Sequence, residues 1–218
     1  ARARRADGNG AGLRPMESPA SGLGEGGERL RDMLVTPACR EFVAAWMRWR
    51  GDAVAPRRGQ IELGDVARHL HWLSVLEIRS ADEMIFRLVG SSINATRGRE
   101  LTGTSLKDLS RPEDWPRRSR INVALAGLPC GLYFRVLFGY TIGPPVYSEY
   151  VCLPVLADSD DAPRQLFTIR QPVENVTLKL PQLDPVYNQV GEENRFVDIG
   201  ARVPDSGMLP VPLPPMTL

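Results

Sequence analysis

The residues of this chain whose types and spacing could do chemistry are two histidines, three cysteines, two glycine-rich runs and one run of arginines. His69 and His71 are two positions apart, which sets them about 200° apart on a helix. No Cys, Asp or Glu cluster completes a metal site around them, so a structural or surface role is expected and a metal is not. Gly22-Leu23-Gly24-Glu25-Gly26-Gly27 spells GxGxxG, but a dinucleotide site needs a preceding strand and a helix start, and this stretch has linker composition. Gly98-Arg99-Glu100-Leu101-Thr102-Gly103-Thr104-Ser105 has the spacing of a phosphate loop without its Lys, which removes the charge that meets the phosphates. Nucleotide hydrolysis is not expected.

Cys130 and Cys152 fall on consecutive candidate strands around a turn near residue 141. They read either as a thiol pair that senses oxidation or, preferably, as two buried apolar thiols. No GxSxG elbow, Cys–His pair or motif-set acid pair is present, so catalysis is not expected. An enzyme would have to bring ionisable groups such as Glu149 or Arg87 together with a reactive group. Arg117-Arg118-Ser119-Arg120 could meet phosphates, but beside Glu113 and Asp114 it reads as a solvated helix face.

The 218 residues carry 27 Lys+Arg against 26 Asp+Glu, a net charge of +1, with 43% hydrophobic and 24% charged residues. That suits one globular domain with tails. The balance gives no overall field for nucleic acid or an anionic bilayer, so neither partner is expected. No run of 18 apolar residues appears, and the basic start ARARR leads into Gly, Pro and Ser rather than a signal-peptide core. An odd number of cysteines without ligand spacing fits reduced thiols and a cytoplasmic location.

Hydrophobic spacing organises the chain into four stretches: a disordered segment 1–27, a helical region and linker 28–58, a folded domain 59–175, and an extension 176–218 ending in a Pro-rich tail. Leu30, Met33 and Leu34 form one short stripe, and Thr36-Pro37 opens a second helix that runs to Gly51. In it Cys39, Phe42, Val43, Trp46 and Trp49 recur every three or four residues. A short helix carries Val66 and Leu70, then 74–78 and 84–89 form a hairpin. Short helices and turns fill 91–111, one amphipathic helix covers 112–126, and strands follow at 132–138, 146–155 and 165–170. A further strand is possible at Arg195 to Ile199.

This order, together with Phe86-Arg87-Leu88-Val89-Gly90-Ser91-Ser92-Ile93, then Gly98-Arg99-Glu100-Leu101-Thr102-Gly103 and Leu106, resembles a bacterial PAS subfamily of short, often stand-alone proteins. Trp49-Arg50-Gly51 and Pro56-Arg57 are similar to its N-terminal helix and linker, and the resemblance spans roughly residues 40 to 172. It implies an α+β PAS fold, a five-stranded antiparallel sheet with inserted helices and an N-terminal flanking helix. The concave face of such a sheet encloses either a small-molecule cavity or a plain apolar core.

For a cavity, the lining expected is Phe86, Leu88, Ile93, Asn94, Leu106, Trp115, Ile121, Phe134, Val136 and Tyr150. PAS proteins that hold haem supply a His from the inserted helix, and 112–126 has none; flavin photoreceptors use a Cys in an Asn-Cys-Arg context, and 91–126 has no Cys. Haem and flavin adduct chemistry are therefore disfavoured, and the cofactor stays unknown. Phe42, Trp46 and Trp49 are either ordinary packing or an interface to a second protomer. Two functions stay open: a sensory module that binds a small ligand and signals through the flanking helix or a partner protein, and a ligand-free dimerisation or adaptor module.

Overall fold

A computed structural model describes residues 27–138, 146–160, 162–173 and 188–209. The disorder expected for the N-terminal segment, the turn at 139–145 and the Pro-rich tail past residue 209 lie outside the described residues; Gly27 is helical, and Ser206–Met208 forms a 3-10 turn.

Residues 27–33 form α1. Thr36 in extended conformation and Pro37 at the first helical position open α2, Pro37–Arg50, and Gly51 closes it at φ 54°. A 3-10 segment, Leu63–Trp72, leads into β1, Leu73–Ile78, and β2, Met84–Val89. Two inserted helices follow, α3 at Ser91–Arg97 and α4 at Trp115–Gly127. The chain then lays down β3, Gly131–Phe138, β4, Val146–Val155, β5, Arg164–Pro172, and β6, Asn188–Val197. All neighbours pair antiparallel in the order β2-β1-β5-β4-β3-β6.

Among the described residues the sheet thus has six strands where five were expected. The possible strand at Arg195 to Ile199 falls partly on the end of β6, which runs from Asn188 to Val197 and joins the free side of β3. Its first half, Asn188-Gln189-Val190-Gly191-Glu192-Glu193, lacks apolar alternation, because an edge strand can be held by backbone bonds and needs no core-facing row.

Successive residues of a strand point to opposite faces, and the two faces carry different helices. The outer face, with Val151, Leu153, Val155, Phe167 and Ile169, shares a buried cluster with Cys39, Phe42, Val43, Trp46 and Trp49 of α2. The inner face, with Leu76, Leu132, Cys152 and Leu166, shares another with Trp115, Leu125 and Ala126 of α4. Phe42, Trp46 and Trp49 are 0%, 1% and 6% exposed, and Trp46 Nε1 donates to the Pro154 carbonyl at 3.0 Å. Of the two readings of this aromatic stripe, the structure shows intramolecular packing. The stripe is a core surface here and not a surface offered to a second protomer.

Gly90 joins β2 to α3 where only a glycine fits: a Cβ there would lie 2.4 Å from the backbone carbon and oxygen of His71. Gly98 ends α3 in the left-handed region at φ 66°. Because the obstacle at Gly90 is backbone, Gly90→Ala is expected to cost about 1–3 kcal/mol, read as a lower urea midpoint at unchanged slope.

Candidate functional site

The candidate site is the inner face of the sheet below α3 and α4. Phe86, Leu106, Trp115, Ile121 and Phe134 belong to or pack on the buried cluster under α4. Phe86 also touches a second cluster with Ile93, and Phe134 a third made of Val136 and Tyr150. Phe86 and Phe134 thus bridge three apolar groups along one face. The Phe134 and Tyr150 rings stack at 4.6 Å and 15°.

Two expected lining residues lie elsewhere. Leu88 packs on the α2 side of the sheet, although Phe86, two residues earlier, faces inward. The physical reason is a bulge: Val75 pairs with Leu88 but Leu76 pairs with Phe86, so Arg87 is the extra residue and the period of two breaks. Asn94 serves its own turn. Its amide nitrogen lies 3.4 Å from the Val89 carbonyl and 2.7 Å from Glu100, and its Oδ1 accepts from the Leu101 N–H at 3.2 Å.

The polar group that the face does present is one that sequence reasoning passed over. Arg170 of β5, 5% exposed, donates to the Tyr150 hydroxyl at 3.2 Å and to Thr96 Oγ1 of α3 at 2.5 Å. Its guanidinium carbon sits 5.8 Å from the centre of the Trp72 ring. Arg170 closes a β-rich run like any strand-end arginine, and only the cross-strand partner Tyr150 and the arrival of α3 give it this role.

The opposite face holds a second polar site. Glu149 of β4 is fully buried and accepts from the Val35 N–H at 3.0 Å, the Thr36 N–H at 2.8 Å, the Thr36 hydroxyl at 2.6 Å and the Tyr133 hydroxyl at 3.3 Å. Arg135 lies 3.7 Å away as an ion pair. Gln171 Oε1 accepts from the Ala38 N–H at 2.8 Å. A helix start leaves its first N–H groups without intrahelical partners, and Thr36 makes no side-chain cap of its own. Side chains of the sheet therefore cap α2.

A family model described as PAS domain matches residues 34–169, more than half of the chain. The chain belongs to the PAS family. PAS domains are generally sensory or interaction modules rather than enzymes. A search of curated proteins found no match. In this PAS domain the match begins at Leu34 and ends at Ile169, so it takes in all of α2, the strands β1 to β4 and β5 as far as Ile169.

The remaining chemistry-bearing residues of the PAS domain have structural surroundings. His69 Nε2 lies 2.8 Å from the Glu41 carboxylate, which also holds Arg68, and the His71 ring tilts against Trp72. Arg117 pairs with Asp114 at 2.9 Å. Arg118 is not simply solvated: it donates to the Leu109 carbonyl and to Ser110 Oγ. Burial first, then the like charge of Arg97, push its guanidinium below the ordinary value, against a smaller opposing effect of Asp114. Among the described residues no group of three or more His, Cys, Asp or Glu gathers as a metal site, and no helix is long and apolar enough to cross a membrane.

Cys130 and Cys152 share the apolar cluster under α4, and all three cysteines are free and buried. Burial above all raises each thiol: Cys39 beyond the ordinary range, Cys130 to about 12 and Cys152 to about 11. The thiolate is the reactive form. Alkylation by iodoacetamide at pH 8 is thus expected to be at least about a hundredfold slower in the native protein than in urea, where intact mass should report three additions.

Proposed function

We propose that this PAS domain is a sensory module whose inner face takes a small organic anion with a flat apolar body, and whose response leaves through α2 or a partner protein. One observation carries the reading: a buried guanidinium, Arg170, held by the hydroxyls of Tyr150 and Thr96 beside the stacked rings of Phe134 and Tyr150. Small-molecule sites are mostly apolar and aromatic with a few convergent polar groups, and Arg is permanently charged and matched in shape to a carboxylate. The groups that α3 and α4 contribute, Thr96, Ile93 and Trp115, can shift with a ligand.

The test begins with native mass spectrometry and absorbance of the purified chain, followed by thermal melting against benzoate, indole-3-acetate, hexanoate and the corresponding amides. The reading expects the acids and not the amides to raise Tm, and Arg170→Met to abolish the rise while Arg117→Met keeps it. A bare, colourless protein whose Tm none of the acids moves overturns it, and a dimer in that outcome favours the ligand-free interaction module.

A further inference from the structure

Tyr150 and Arg170 face each other across β4 and β5, and so do the next residues along the two strands, Glu149 and Gln171. Alternation sends the first pair to the inner face and the second to the outer face. The inner pair is tied to α3, because Arg170 donates to both Tyr150 and Thr96. The outer pair is tied to the start of α2, because Glu149 accepts from Val35 and Thr36 and Gln171 accepts from Ala38. Two helices on opposite sides of the sheet therefore hang from the same two adjacent rungs.

We infer that these rungs are the coupling element of the domain: the grip of α3 on Arg170 sets how firmly Glu149 and Gln171 cap α2. The physical basis is the short reach of the bonds involved. Charge-assisted hydrogen bonds of 2.6–3.0 Å weaken steeply with small changes in distance and angle. Glu149 and Tyr150 share a peptide unit, as do Arg170 and Gln171, so a twist of the inner pair reorients the outer one. The start of α2 can respond because it lacks a side-chain cap of its own, and Pro37 brings no N–H to strengthen it. Coupling of this kind needs a contiguous element that both sites bias, and the rungs supply one. The inference deepens the sensory reading, since it names the route by which a ligand at Arg170 would reach α2, but the rungs can be tested without any ligand.

The experiment is amide hydrogen exchange by NMR on the ligand-free full chain, comparing wild type with Thr96→Val, which keeps the shape of the α3 residue and removes the acceptor of Arg170. The amides of Val35, Thr36 and Ala38 report the caps directly. They are expected to exchange roughly tenfold faster in Thr96→Val, a coupling of ordinary size for a shared network, while Val151 and Ile169 in the strand cores stay unchanged. Tyr150→Phe, which removes only the second hydroxyl on Arg170, should move the same three amides if Thr96→Val folds poorly. Unchanged exchange at these amides in both variants, or a rise shared equally with Val151 and Ile169, overturns the inference. Faster exchange in a protein that binds none of the acids leaves the coupling standing and removes the sensory reading; acid binding with unmoved amides does the reverse.

Discussion

Glu149→Ala is expected to cost the domain about 3–5 kcal/mol, the scale for breaking a buried charged network by removing one partner. The carboxylate is fully buried and serves the N–H groups of Val35 and Thr36, the Thr36 hydroxyl and the Tyr133 hydroxyl. Alanine would strand these donors away from water, each at the cost of an unmade bond, and would remove the ion partner of Arg135. Glu149→Gln keeps one acceptor oxygen but turns an NH2 group toward the backbone donors, so roughly half of the loss should remain. Urea denaturation followed by tryptophan fluorescence measures both; equal midpoints for wild type and Glu149→Ala would show that the carboxylate does not hold α2. Because the damage starts at the helix, the first amides to lose protection should be those of Val35, Thr36, Ala38, Cys39 and Arg40.

Trp46→Ala should destabilise by about as much, 3–5 kcal/mol on the scale of aromatic deletions from cores, or a fall in Tm of roughly 10 °C for a chain of this size. Trp46 is 1% exposed and sits between α2 and the outer face of the sheet. Its removal leaves a void walled by both layers, and the Pro154 carbonyl loses its donor. Trp46→Phe refills most of that space and should cost about 1–2 kcal/mol. A chain that instead formed a dimer through this stripe would show a Trp46→Ala effect that depends on protein concentration. The packing seen here requires the loss to be the same at two protein concentrations about 200-fold apart.

Much of the fold was legible because its signals are local. Thr36-Pro37 before an apolar three-four spacing and Gly51 after it delimit α2 to within a residue. The hairpin of β1 and β2 follows from two β-type runs separated by a five-residue loop of mostly polar residues. The strand β6 was half hidden, because an edge strand of Gly and Glu carries no alternating apolar row for a reader to find.

What the sequence by itself determined was the layout: a flanking helix, two strands, inserted helices and a run of strands. Leu88 shows where phase stops being enough, since one bulged residue, Arg87, sends it to the other side of the sheet. Only the tertiary structure decided which polar groups matter. Arg170 meets Thr96 across 74 positions, and Glu149 meets Thr36 across 113. Local spacing carries no record of partners that far apart. Their roles arise because antiparallel pairing stacks Glu149 against Gln171 and Tyr150 against Arg170, and because burial makes a charged group depend on whatever the folded chain brings to it.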